Sequence, residues 1–221
     1  RGKSLCSAFN QQDDANLAYV CDADANRLES VKEQFKADKA VADFRTILDD
    51  KAVDALVIAA PDHWHAPAAI LACEAGKHVY VEKPPCHNIR EGRLMLEAAR
   101  KHDRIMQVGT QTRSSDGVRE AVEMLRDGVI GDILAVKVIN SQRRGNIGHA
   151  QPSDPPADLD YDQWVGPAAW LPYQANRLHY TWHWWYNFGT GDMGNDGVHD
   201  LDVGIWGLGV DTHPTTVRGY G

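Results

Sequence analysis

The chain has 221 residues, enough for one large domain or two modest ones, with 31 acidic against 23 basic side chains and a formal net charge of −8. A surface of that sign repels phosphate backbones, and the basic pair Arg143-Arg144 stands by itself, so composition argues against a nucleic-acid partner. Hydrophobic residues at 43% and charged residues at 24% are globular proportions that exclude global disorder, and no apolar run approaches the ~18 residues of a membrane helix.

The first half alternates strand and helix. Residues 2–12 read as a helix with Leu5, Ala8 and Phe9 on one face, and residues 17–21 as a buried strand that ends in Asp22. An amphipathic helix follows over 25–35, then a continuous apolar strand over 55–60, ended by Pro61. Residues 65–75 read as a helix stopped by Gly76, 78–81 as a strand, 89–102 as a helix, and 104–108 as a strand ended by Gly109. Apolar strands alternating with amphipathic helices predict a doubly wound α/β domain, its parallel sheet covered on both faces.

Near residue 113 the texture changes. A helix over 118–125 and a longer strand over 133–139 precede a loop rich in Gly, Pro, Asp and Asn over 144–160. An aromatic stretch over 164–188, a helix over 196–208 and a strand start at 215–217 complete the chain. This half reads as an α+β domain, which sets the boundary at about 113. Seven tryptophans are present, six of them after residue 160. The four cysteines (Cys6, Cys21, Cys73, Cys86) form no C-x-x-C pair and read as buried free thiols rather than a disulfide framework.

Three places carry chemistry. Asp22, at the carboxyl end of a strand, can accept hydrogen bonds from a ribose diol and would repel a 2′-phosphate. The plain alternative is a helix cap, since Asp22 and Asp24 both precede a helix. Gly2 opens a helix twenty residues before Asp22, the spacing between a glycine-rich turn and the ribose acid in a dinucleotide site. Pro61-Asp62-His63-Trp64-His65 follows the apolar strand at the edge where open α/β sheets bind ligands. His63 and His65 give half a metal site at most, so His65 reads as a cofactor contact and no metal is expected. Glu82-Lys83-Pro84 ends the next strand, and desolvation there would lower the Lys83 pKa, suiting it to shuttle a proton from a substrate hydroxyl. The plain alternative is a solvated lysine.

The order of Asp22, Pro61 to His65, Glu82-Lys83-Pro84 with Asn88 after it, and Gly109-Thr110-Gln111 resembles the glucose–fructose oxidoreductase / inositol dehydrogenase (Gfo/Idh/MocA) family. The second half agrees in Asn176 to Tyr180, Trp182-His183-Trp184, Gly189 to Asp192 and Gly194 to His199. The resemblance implies a Rossmann domain over 1–113 and the start of an α+β domain with a mostly antiparallel sheet over 114–221. It implies NAD or NADP as cofactor, with Asp22 favouring NAD, and a sugar, cyclitol or related polyol as substrate. It makes Lys83 and His199 the catalytic pair and the Lys83–Pro84 bond cis. Gly2, Asp22, Pro61, His65, Glu82, Lys83, Asn88 and Gln111 become cofactor contacts, and Arg113, Tyr180, Trp182, His183 and Asn195 substrate contacts. Many members carry an aspartate four residues before the histidine, where this chain has Asn195, which cannot stabilise an imidazolium as a carboxylate does.

Sugars stack their C–H faces on aromatic rings, which gives Trp182, Trp184 and Tyr180 a role beside plain core packing. Trp206 reads as core, and Trp164 and Trp170 as structural. His179, His183 and His199 are weighed as a metal set and set aside for want of an acid at the right spacing. Three functions compete: net dehydrogenation of a polyol; a redox-assisted glycosidase or lyase with tightly held NAD; and a non-catalytic sugar- or nucleotide-binding protein. The motif positions lead one to expect a fragment. They place residue 1 inside or just past the phosphate-binding turn and residue 221 where the second sheet begins. The default location is cytoplasmic, with any export segment before residue 1, and a homo-oligomer is expected of the full-length protein.

Overall fold

The computed structural model describes residues 1–220. The alternating half forms as α1 (Gly2–Phe9), β1 (Tyr19–Cys21), α2 (Ala25–Phe35), β2 (Lys39–Val41), α3 (Arg45–Leu48), β3 (Ala55–Ile58), α4 (Asp62–Glu74), β4 (His78–Val81), α5 (Ile89–Lys101) and β5 (Met106–Val108). β1 pairs in parallel with β2, and β3, β4 and β5 form a second parallel ladder in that order. Local chemistry fixes the ends. The Asp24 carboxylate caps α2 by accepting from the amides of Asn26 and Arg27, and Lys36 closes that helix in the left-handed region. Asn88 and Glu91 form a reciprocal capping box at the start of α5.

The main core lies between α4, α5 and the β3–β4–β5 ladder. Ala66, Ala69, Ala72 and Cys73 are fully buried there against Val79, Val81 and Met95. A helix face built of alanines and a small thiol lets α4 approach both its neighbours closely, and tight packing gives that approach its value. Coverage on both faces does not extend to β3. Val57 is 39% exposed and Ala55 is exposed, because β3 is an edge strand with a neighbour on one side only. Of the four cysteines, all free, Cys73 is buried, Cys6 and Cys86 are partly covered, and Cys21 is exposed.

Two compact units emerge, and they do not follow sequence order. One comprises Arg1–Gly109 with Arg143–Asn195; the other comprises Thr110–Gln142 and the residues from Asp196 on. In the first unit the aromatic stretch forms its own core, in which Phe188 (0% exposed) lies 4.7 Å from the Trp164 ring and 5.1 Å from that of His63. α7 (Tyr161–Val165) supplies Tyr161, Trp164 and Val165 to this core. Main-chain bonds from Ala25 to Asp158 (2.8 Å) and from Asp160 to Ala23 (2.9 Å) stitch the loop ahead of α7 to the β1–α2 turn. Trp164 is thus structural, whereas Trp170 is 62% exposed.

In the second unit, α6 (Asp116–Arg126) and α9 (Gly197–Leu208) pack together. A side chain at Gly204 would come within 2.7 Å of Val138, so α9 and that extended segment meet through glycine. The strand expected over 133–139 and the strand start at 215–217 are absent among the described residues. Extended segments become strands only against a hydrogen-bonding neighbour, and these have none. Trp206 is half-buried rather than core, its ring 5.1 Å from the Arg113 guanidinium.

Candidate active site

The carboxyl end of β4 places Glu82 and Lys83 beside α4. Glu82 is 3% exposed, and a buried carboxylate is costly unless hydrogen-bonded. Arg1 donates to its Oε1 at 2.8 Å, while Oε2 is buried with no partner among the described residues. A Cβ at Gly109, which ends β5, would stand 2.9 Å from the Tyr80 hydroxyl and 3.0 Å from Glu82 Oε1, so only glycine leaves this carboxylate its place.

Lys83 is half-buried, and its Nζ donates to both the backbone oxygen and Oδ1 of Asn195, each at 2.8 Å. Asn195 ends the short helix α8 (Gly191–Asn195) and is 7% exposed. Burial pulls the Lys83 pKa below its ordinary value, while the charges of Glu82 and Asp62 act against that. Both Asn195 oxygens therefore serve the lysine, which gives that position a task the spacing to His199 does not reveal. The Lys83–Pro84 peptide is cis.

Other anticipated residues take different places. His65 is buried, with Nδ1 2.7 Å from the Pro84 oxygen and Nε2 2.8 Å from the Ala60 oxygen, so the ring sits between the ends of β3 and β4, and the nitrogen that carries the proton donates to the carbonyl it faces. Asn88 spends its side-chain oxygen on the α5 cap. Pro61 is the N-cap of α4, where its missing N–H is no loss. Asp22 is partly buried and accepts from the Asp24 amide through Oδ1; burial raises its pKa, against that bond. Gly2 opens α1 with its neighbour Arg1 as N-cap. His179 gives Nε2 to Asp24 at 2.8 Å, which removes it from any shared histidine cluster.

The aromatic segment stacks on itself. The Trp182 and His183 rings lie 3.6 Å apart, and Tyr180 sits edge-on to Trp184 at 5.3 Å. Burial lowers the His183 pKa. Arg144 pairs with Asp192 at 2.9 Å and lies 5.7 Å from the Trp184 ring. Tyr180 remains 56% exposed, free to present its face. Gln111, Arg113 and His199 belong to the second unit. Arg113 forms a two-pronged pair with Asp202 (2.7 and 2.8 Å), and His199 lies in the first turn of α9, its amide bonded to the Asp196 oxygen at 3.0 Å.

Sequence reasoning gave no separate role to Asp62, Thr190 or Arg1. Asp62 is 1% exposed, and its Oδ2 accepts from Thr190 through both the amide (3.1 Å) and the hydroxyl (2.8 Å). The one hint was an acidic residue directly after a proline at a strand end.

The donor set suits a dinucleotide. Asp22 and Glu82 offer carboxylate oxygens, and Glu82 Oε2 is buried with no partner among the described residues. Comparison with known proteins agrees. An oxidoreductase-family model described as an NAD-binding Rossmann fold matches residues 2–110, and the model of that family's C-terminal alpha/beta domain matches residues 119–218. A levoglucosan dehydrogenase of Pseudarthrobacter phenanthrenivorans is 30% identical over 118 residues, 53% of this chain and 30% of that protein. A myo-inositol 2-dehydrogenase of Thermotoga maritima is 28% identical over 146 residues, 66% of this chain and 41% of that protein. The chain thus spans less than half the length of these curated relatives.

Among solved structures, the myo-inositol 2-dehydrogenase of Lactobacillus plantarum superimposes with a TM-score of 0.55 at 28% identity, over 60% of this chain and 39% of that one. A levoglucosan dehydrogenase in complex with NADH reaches 0.65 over 94% of this chain and 49% of that one, and at 22% identity it speaks for the fold alone. With both models of one family matched in order along it, the chain belongs to the Gfo/Idh/MocA oxidoreductases, a nucleotide-binding Rossmann domain followed by a C-terminal α/β domain.

Proposed function

We propose that the protein is an NAD-dependent oxidoreductase acting on a hydroxyl of a sugar, cyclitol or related polyol. The observation that carries this reading is the Lys83 ammonium, half-buried at the strand-end edge and held by two oxygens of Asn195. Burial favours its neutral form, so Nζ can take the proton of a substrate hydroxyl while Asn195 fixes its direction. A bound nicotinamide supplies hydride acceptance. Asp22 supports NAD over NADP, because a carboxylate accepts from a ribose diol and repels a 2′-phosphate. Tyr180 and the Trp182–His183 stack offer apolar faces of the kind sugars use. The relatives named as inositol and levoglucosan dehydrogenases give the substrate class its support.

The test incubates the protein with NAD and a panel of polyols and glycosides. It follows reduced nicotinamide by absorbance and, separately, product by chromatography. Reduced cofactor in step with substrate loss is the expected result, and Lys83→Ala abolishes it without loss of fold. Product without net reduction overturns net dehydrogenation, and wild-type rates in Lys83→Ala overturn the assignment of the lysine.

A further inference from the structure

Asp62 opens α4 with its carboxylate almost wholly out of solvent. Such a group persists in a fold only where hydrogen bonds replace lost water. Here the replacement comes from a residue 128 positions away, since both Thr190 donors converge on Oδ2. Thr190 has glycine on either side. A Cβ at Gly189 would stand 2.6 Å from the main chain of His183, and one at Gly194 would stand 2.0 Å from the Thr190 hydroxyl oxygen. The threonine therefore lies folded against α8 one residue before Asn195, with no room for a side chain between. Asn195 in turn takes the Lys83 ammonium with both oxygens. Asp62, Thr190, Gly194, Asn195 and Lys83 form one unbroken line of contacts.

Charge runs along the same line. The charged groups that act on Lys83 are Glu82 on its own strand end, Asp62 on α4 and Arg1 ahead of α1. Burial raises the Asp62 pKa, and the Thr190 hydrogen bonds, with the charges of His65 on its own helix and His183 from the aromatic segment, act against that.

We propose that Asp62 is a positioning residue for Lys83: through Thr190 it locks the α8 turn so that Asn195 offers both oxygens to Nζ, and its carboxylate supplies part of the charge the ammonium sees. The inference rests on the reading of Lys83 as the proton-transfer group, and it extends that reading to a residue that need not touch substrate.

The test reads Lys83 directly, by reductive methylation of the full chain with formaldehyde and cyanoborohydride at pH 7 to 10. Mass spectrometry of the Lys83 peptide gives the rate. Asp62→Asn keeps an acceptor for Thr190 but removes the charge, so the labelling midpoint moves to lower pH and the rate at pH 8 rises about 3- to 10-fold. Thr190→Val loosens the turn and raises the rate with a smaller shift of midpoint, and Thr190→Ser restores wild-type behaviour. A profile for folded Asp62→Asn that superimposes on wild type overturns the proposal. Should Asp62→Asn fail to fold, an unchanged profile in Thr190→Val does the same. Labelling is independent of turnover, so an enzyme inactive on every polyol leaves this result standing, while an active enzyme with unchanged labelling overturns only the role of Asp62.

Discussion

His63 is 4% exposed and walled by the Trp164 and Phe188 rings, with Nε2 3.0 Å from the Trp164 oxygen. Burial pulls its pKa down to about 4, against an ordinary 6.5. The folded state thus refuses a proton that the unfolded chain accepts. Stability is unaffected above pH 6.5, falls as pH drops through the window from 6.5 to 4, and stops falling below it. Between pH 7.5 and pH 5 the loss from this one group is about 2 kcal/mol, and it approaches about 3 kcal/mol below pH 4. Urea unfolding at the two pH values, followed by near-ultraviolet circular dichroism, gives the total change in wild type. The same measurement in His63→Gln, which keeps a donor for the Trp164 oxygen but does not titrate, gives everything else. Wild type should lose about 2 kcal/mol more than the variant. Equal losses in the two proteins would refute the reasoning, because the carboxylates and the other histidines are common to both.

Three further outcomes are expected. Phe188→Ala empties the centre of the aromatic core and costs about 3–5 kcal/mol, read as a lower urea midpoint. Gly166→Ala places a methyl 2.0 Å from the Trp64 ring at a φ of +48°, so it destabilises by about 1–3 kcal/mol and quenches or shifts tryptophan fluorescence. Asp22→Ala weakens NAD about tenfold by titration calorimetry and leaves NADP no weaker, since the carboxylate attracts one ribose and repels the other.

Much of the first unit is legible because its signals are local. The helix over 25–35 and the strand over 78–81 have the ends the periodicity predicts, fixed by Asp24 and Gly76 within a few residues. β2 and α3 escape notice because three and four residues are too few to show a period. The strand over 133–139 is over-read for the converse reason: alternation reports what a segment would do beside a partner, not whether one is there. The site divides the same way. The place of Lys83 at a strand end is legible from its neighbours, whereas its contact with Asn195 joins positions 112 apart and leaves no trace in spacing. His65 shows what a motif leaves out: its spacing gives no sign of the Pro84 and Ala60 carbonyl oxygens that flank the imidazole.

The interleaving of the first unit also sets a timetable. Its second portion, Arg143–Asn195, reaches the ribosome exit only after Thr110–Gln142 has been made. At bacterial or eukaryotic synthesis rates, the interval between Lys83 and Asn195 is roughly 6 to 20 s. Throughout that interval the chain lacks the aromatic core that closes over His63, and Lys83 lacks the Asn195 oxygens that hold it. A nascent chain halted before residue 160 should therefore engage chaperones that the finished chain releases.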